Sequence, residues 1–135
     1  MQTRTLLFTF ILLAAAMPAR PDAAPNAPLT ADEIRAEFLG TRMSGVQLGT
    51  RQPFIECIEP DGRSIFQTGD YVSEGVMEVT PDAQACFTYA SGTYCYRVQR
   101  APTGYMIHSV GASATFHARN VERGVKRCTA DDLIG

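Results

Sequence analysis

The chain has 135 residues, with 12 Lys and Arg against 14 Asp and Glu, and a net charge of −2. A chain this mildly acidic lacks the basic surface that nucleic-acid binding requires, so no nucleic-acid partner is expected. Its length allows one domain of about one hundred residues behind the N-terminal segments, and covalent cross-links help a domain of that size.

The N-terminus has the pattern of a cleaved secretory signal peptide. Arg4 precedes an apolar run, Leu6 to Ala16, that only one threonine interrupts. The run is shorter than the about 20 residues that cross a bilayer, so we predict a signal peptide over 1–16 and no stable membrane anchor. Cleavage after Ala16 is preferred, with a cut after Ala19 as the alternative.

Residues 17–28 are rich in Pro and Ala and are predicted to form a disordered leader. The folded, disulfide-bonded domain is then expected over 29–135. Its location is predicted to be periplasmic or secreted.

One helix is well indicated, in the stretch LTADEIRAEFLG. Thr30 is placed to cap the helix, and Glu33 three residues later completes a capping box. Ile34 and Phe38 share one face, and Gly40 is expected to end the helix. The narrow apolar stripe predicts a helix that docks on a sheet.

The rest of the chain consists of short β-prone runs between turn residues. The runs are PFIECIE, RSIFQT, YVSEGVMEV, QACFTY, TYCYRVQR, YMIHSV, ATFHARNV and GVKRC. They predict a mainly β fold, in which the helix precedes an antiparallel meander of seven or eight strands that curls into a barrel or half-barrel. A β-sandwich is the alternative.

The stretch QACFTYASGTYCYRVQR predicts a β-hairpin. A turn at Ser91-Gly92 pairs Tyr89 with Tyr94, whereas a four-residue loop from Tyr89 to Gly92 sets Cys86 opposite Cys95. In both registers one face carries Phe87, Tyr89, Tyr94 and Tyr96, and the other carries Cys86, Cys95 and Arg97. We expect the aromatic face to belong to the core.

All four cysteines, Cys57, Cys86, Cys95 and Cys128, follow the export signal, which predicts two disulfides. Their spacing does not match a zinc knuckle or a C-x-x-C redox pair. Of three connectivities we prefer Cys86 with Cys95 and Cys57 with Cys128, and the other two remain open.

Charges are unevenly distributed along the domain. Residues 54–82 are mostly acidic and residues 97–127 mostly basic. This predicts a charge-split surface that attracts a charged partner, unless the two sets pair with each other.

Catalytic and metal sites are weakly indicated. His108 and His117 are the only histidines and provide too few ligands for a metal, so no metal or cofactor is expected. Paired carboxylates for glycoside hydrolysis can be drawn from Glu56, Glu59, Glu74 and Glu78, but no pair is selected. The chain is therefore not expected to be an enzyme.

Several short motifs resemble a family of small exported alphaproteobacterial proteins classed as a domain of unknown function. The motifs lie at Leu29 to Glu33, Asp61-Gly62, Gly75 with Met77, Cys86, Cys95 with Tyr96 and Val98, and Val121 with Gly124. Met77 stands where that family usually has tryptophan. The resemblance implies an exported domain with Cys86 paired to Cys95, and it carries no established catalytic residues.

SGTY, Ser91 to Tyr94, resembles the Ser-Gly-x-x-Tyr loop of the membrane-bound and periplasmic lysozyme inhibitors, which are small disulfide-bearing β-barrels of Gram-negative bacteria. The tyrosine comes one residue early here. The resemblance implies inhibition of a cell-wall hydrolase through this loop.

The sequence therefore predicts an exported, non-catalytic binding or interaction module of the bacterial envelope. It is expected to contact an envelope protein or a small ligand through the hairpin tip, residues 89–94, and the charge-split surface. The predicted binding residues are Tyr89, Ser91, Gly92, Tyr94 and Arg97. The alternatives are an inhibitor of a cell-wall hydrolase and an envelope hydrolase that uses the carboxylates.

Overall fold

The computed structural model describes residues 26–133. The predicted signal peptide lies outside the described residues, as does most of the predicted leader. Pro28, the last leader residue, forms an isolated antiparallel bridge with Gln99. None of the helices within 26–133 is long and apolar enough to cross a membrane.

One helix and eight strands follow one another along the chain. They are α1 (Ala31–Phe38), β1 (Thr41–Gln47), β2 (Pro53–Ile58), β3 (Arg63–Thr68), β4 (Tyr71–Val79), β5 (Ala85–Tyr89), β6 (Gly92–Arg100), β7 (Tyr105–Ser109) and β8 (Thr115–Arg123), with a short 3-10 turn over Ala130–Leu133.

The capping box of α1 is confirmed. The Thr30 hydroxyl accepts a hydrogen bond from the Glu33 backbone N–H, and the Glu33 carboxylate accepts one from the Thr30 N–H at 2.8 Å. Gly40, with φ of 71°, follows the last turn. These local contacts fix where the helix begins and where the chain turns into β1.

The strands form a closed antiparallel barrel, which confirms the mainly β meander and removes the sandwich alternative. Each strand pairs with its neighbour in sequence, and β1 closes the barrel by pairing with β8. The register shifts between Ser44 and Gly45, where a Cβ at Gly45 would lie 1.7 Å from the His117 carbonyl oxygen. Glycine is required there because the two closing strands approach so closely.

Two strand assignments differ from the sequence prediction. Thr41–Gln47 was not singled out, yet it forms β1. The predicted strand GVKRC, residues 124–128, is wrong, because β8 already pairs with β1 and leaves no edge for a ninth strand. Val125 and Cys128 instead pack on the outside of β2 and β3, against Cys57 and Ile65.

Both preferred disulfides are confirmed. Cys57 pairs with Cys128 across 71 residues, and Cys86 pairs with Cys95 across 9. The hairpin takes the register that sets these last two cysteines directly opposite each other. Two disulfides fit a protein of an oxidising compartment.

Helix α1 fills one end of the barrel, which we call the closed end. Ile34 and Phe38 are fully buried, and the ring of Phe38 packs edge-on against Tyr105 with the centroids 5.1 Å apart. Leu29 is buried beside them, and its N–H donates to the carbonyl of Val98 at 2.8 Å. The loops that follow β1, β3, β5 and β7 lie at the opposite end, which we call the mouth.

Polar contacts fasten α1 to the barrel wall. Glu37 accepts a hydrogen bond from the Tyr105 hydroxyl at 2.6 Å, and its backbone carbonyl accepts one from Arg123 at 2.9 Å. Arg100 bonds to both Glu33 and Glu37. The helix is therefore held by burial of its apolar face and by charge-assisted bonds at its edge.

The filled closed end leads to a stability prediction. Replacing Phe38 by Ala should lower the free energy of unfolding by about 3–5 kcal/mol, because a fully buried ring leaves a cavity. Phe66→Ala, nearer the mouth, should cost less than half as much, since that ring is only partly buried. Urea unfolding followed by far-UV circular dichroism measures both variants, and equal losses would contradict a tightly packed closed end.

Candidate functional site

The mouth half of the barrel interior is a cavity of about 360 Å³. Its walls are mainly aromatic and aliphatic, with a few polar groups near the opening. The lining residues are Met43, Gln47, Phe54, Glu56, Phe66, Thr68, Tyr71, Ser73, Phe87, Tyr89, Ser91, Tyr94, Tyr96, Ile107 and Phe116. A concave apolar site of this size is typical of pockets that bind small molecules.

Six aromatic side chains form a continuous ring around the cavity, which we call the aromatic belt. Neighbouring ring centroids are 5.2 to 6.3 Å apart. In order around the barrel the belt consists of Phe54, Phe66, Tyr89, Phe87, Tyr96 and Phe116. Because each ring packs on two others, the belt keeps its shape while its inner faces border open space.

Tyr89 lies across β4 because Gly75 gives it room. A Cβ at Gly75 would lie 2.5 Å from Cδ1 of the Tyr89 ring and 2.4 Å from the Thr88 carbonyl oxygen. The missing side chain lets the ring tilt into the barrel and brings its hydroxyl to the carboxyl group of Glu56. The Tyr89 hydroxyl donates a hydrogen bond to Glu56 Oε2 at 2.8 Å.

Glu56 is a buried carboxyl group in this apolar cavity. It is 6% exposed and lies on β2 between Phe54 and Ile58, which also face inward. Its second oxygen, Oε1, has no hydrogen-bond partner among residues 26–133, and neither has the nearby Ser64 hydroxyl. The cavity therefore contains a buried carboxyl oxygen that the protein itself leaves without a hydrogen bond; it is a donor when the group is protonated and an acceptor when the group is ionised.

Burial determines the protonation of this site. It raises the pKa of Glu56 to about 8, although the Tyr89 hydrogen bond and the nearby Ser64 hydroxyl act in the opposite direction. Burial, reinforced by the charge of Glu56, likewise raises the pKa of Tyr89, and it raises the pKa of Tyr96 to about 12. At neutral pH the carboxyl group is mostly protonated.

The hairpin tip lies at the mouth. Tyr89, Ser91 and Tyr94 line the cavity, and Gly92 pairs with Tyr89 at the turn. Tyr94 is 42% exposed, and its hydroxyl donates to Ser91 Oγ at 3.2 Å, so the segment that resembles the inhibitor loop is bonded within itself. The predicted tip residues are thus part of a larger site whose centre lies deeper.

Arg97 does not join this site. It lies on the outer face of β6, donates to the Asp82 carbonyl at 3.2 Å and forms an ion pair with the Asp82 carboxylate at 3.7 Å. This ion pair joins the acidic segment, 54–82, to the basic segment, 97–127. At this position the two sets of charges therefore pair with each other, which is the alternative to a charge-split contact surface. The charge-split surface as a contact site remains a prediction.

The four candidate carboxylates do not converge. Glu56 points into the cavity, whereas Glu59 lies at the closed end, where it bonds to Arg63 at 2.8 Å and to the Cys128 N–H. Glu74 and Glu78 are exposed on β4. Among the described residues that line the cavity, Glu56 is the only carboxyl group, so a two-carboxylate hydrolase is not assembled there.

The two histidines lie on the neighbouring strands β7 and β8, and neither lines the cavity. His108 Nε2 is 3.2 Å from Gln99 Oε1, and His117 Nε2 is 3.0 Å from the Thr103 carbonyl oxygen. Within residues 26–133 no group of three or more His, Cys, Asp or Glu side chains is placed to hold a metal ion.

Half of the belt was not predicted from the sequence. Phe54 and Phe66 meet across the consecutive strands β2 and β3, whereas Phe116 reaches Phe54 only because β8 closes the barrel on β1. For Phe116 the available signal was the alternation along β8, which separates Phe116 and Ala118 from His117 and Arg119.

Comparisons with protein-family models, curated proteins and solved structures find no match to this chain. The resemblances noted in the sequence therefore stay predictions.

The buried Glu56 predicts a pH dependence of stability. Its pKa rises from 4.5 to about 8 on folding, so the folded state holds more protons between these values and stability falls as pH rises through that window. Glu56→Gln should remove this loss. Between these pH values its free energy of unfolding should rise relative to that of the wild type by up to about 1.4 kcal/mol per pH unit.

Thermal unfolding at pH 5 to 9 measures the effect. Glu74→Gln, an exposed change of the same type, is the control and should follow the wild-type profile. Parallel profiles for wild type and Glu56→Gln would show that Glu56 does not titrate as described.

Proposed function

We propose that this protein is an exported, non-catalytic binding protein that encloses one small, mainly apolar molecule in the mouth half of its barrel. The observation that carries the proposal is the aromatic-lined cavity of about 360 Å³. Protein interiors are normally close-packed, so an open volume with this lining is a feature to explain.

The contrast between the two halves of the barrel supports a binding role. The closed end is filled by Ile34, Phe38 and Leu29, all buried, so the fold is able to pack its interior. In the mouth half the belt rings pack on one another around the space and leave its centre open. An apolar ligand that entered would remove these ring faces from water, at about 25 cal/mol for each Å² buried.

The opening favours entry from solvent. Tyr71 and Tyr94 stand at the rim, 52% and 42% exposed, and Leu48 and Val110 are exposed in the neighbouring loops. Apolar side chains around an opening attract an apolar ligand before it enters. The residues predicted at the hairpin tip act here as part of the rim.

The two disulfides support the exported location, because such bonds persist in oxidising compartments. Both lie on the outer face of the barrel, so they stabilise the wall without occupying the cavity. A binding protein of the bacterial envelope has these properties.

The proposal predicts that filling the cavity abolishes binding. Ser73 lines the cavity and is paired with Phe66 on the neighbouring strand. Ser73→Phe should weaken binding of the neutral fluorescent probe N-phenyl-1-naphthylamine by about tenfold or more, because the added ring occupies part of the cavity. The same change on the outside, Ser44→Phe, is the matched control and should bind as the wild type does.

Probe fluorescence is titrated against each folded variant, with folding checked by far-UV circular dichroism. Equal binding by both variants would show that the probe lies elsewhere, and lack of binding by the wild type would reject the proposed function.

A further inference from the structure

The chemistry of the cavity specifies one class of ligand more closely. Glu56 is the only carboxyl group among its described lining residues, and no Lys, Arg or His is among them. Its Oε1 is buried without a partner among residues 26–133, and it accepts hydrogen bonds when the carboxyl group is ionised. A hydrogen-bond donor on the ligand would satisfy this atom, and a positive charge would satisfy it most strongly.

The aromatic belt also favours a positively charged ligand. The faces of Phe, Tyr and Trp rings carry partial negative charge and attract cations within about 6 Å of the ring centroid. Phe66 and Tyr89 are adjacent in the belt, with centroids 6.2 Å apart, and Tyr89 is bonded to Glu56. A cation held at Glu56 therefore has aromatic neighbours as well as a carboxylate.

We infer that the ligand is a small organic cation, with a primary ammonium group on a compact body that contains a ring. The ammonium donates to Glu56 Oε1, and the body packs within the aromatic belt. This inference rests on the proposed function and names the class of molecule that the same cavity takes.

The depth of Glu56 in the barrel favours a free small molecule as the ligand over a lysine side chain of a partner protein. Pro53 starts β2 at the mouth, so Glu56 lies three residues, or about 10 Å of strand, inside the barrel. A lysine side chain of a partner protein would bring only a thin aliphatic stem to this depth and would leave the belt faces uncovered. A ligand with a ring as its body covers them.

Binding of such a cation is coupled to proton release. In the free protein Glu56 is mostly protonated at neutral pH, with a pKa of about 8, and the cation favours the ionised form. The proton passes to solvent as the ammonium binds. Because the ionised fraction grows between pH 7 and 8.5, affinity should rise by about eightfold over that range.

Among the groups that face one another here, Glu56 is the one that titrates between pH 7 and 8.5. Tyr89 on β5 and Tyr96 on β6 face it, and burial raises the pKa of both above their ordinary value. The neighbours paired with it on β1 and β3 are Met43 and Phe66, which do not titrate.

The test compares three molecules of nearly the same shape by isothermal titration calorimetry at pH 7 and 8.5. They are 2-phenylethylammonium, which stays protonated at both values, propylbenzene, with a methyl group in place of the ammonium, and 2-phenylethanol, a neutral donor. At pH 8.5 the ammonium should bind about tenfold tighter than propylbenzene. In Glu56→Gln this ratio should fall to one or below, because an unpaired ammonium group is costly to bury, whereas Glu74→Gln, changed on the outer surface, should keep it.

The outcomes separate the two proposals. Binding of propylbenzene without preference for the ammonium, or equal binding of 2-phenylethanol, would overturn the cation assignment and leave the apolar cavity standing. Tight binding of N-acetyl-lysine amide would overturn the assignment to a free molecule with a ring. Lack of binding by all three, together with N-phenyl-1-naphthylamine, would reject the proposed function itself.

Discussion

Strand β1 pairs with β8 from Thr41 to Gln47, and this pairing turns a meander of eight strands into a barrel without free edges. Closure satisfies the backbone of every strand and encloses an interior that side chains or a ligand must fill. Helix α1, which leads directly into β1, supplies the filling for one half only. The other half stays open to the mouth, so the position of the cavity follows from where the helix enters.

The mouth half of the barrel buries a carboxyl group, Glu56, which lowers the stability of the fold. A group kept at such a cost is expected to have a role in binding. Burying a carboxyl group with one unsatisfied oxygen disfavours its charged form, and its pKa of about 8 reflects that cost. An apolar residue at position 56 would avoid it. Tyr89 and Gly75 are nevertheless arranged so that a hydroxyl reaches the carboxyl group at 2.8 Å. Local conflicts with the rules of core packing are expected at functional sites.

The helix, the meander, both disulfides and the two faces of the hairpin were predictable because each depends on neighbouring residues or on strand parity. The belt and the role of Glu56 were not. On β2 the outer face carries Ile55 and Cys57, which cluster there with Val125 and Cys128 of the C-terminal segment, so both faces of this strand are apolar and alternation gives no sign of which one points inward. GVKRC was misassigned for the same reason, since Val125 packs half-buried on that outer face as coil.

The proposed function requires that the ligand occupies the inside of the barrel. Intermolecular nuclear Overhauser effects between bound N-phenyl-1-naphthylamine and the isotope-labelled protein locate the ligand. Contacts are expected with the methyl groups of Met43 and Ile107 and with the ring of Phe116, all of which line the cavity. Contacts confined to Val72 and Val76, which are exposed on β4, would contradict it.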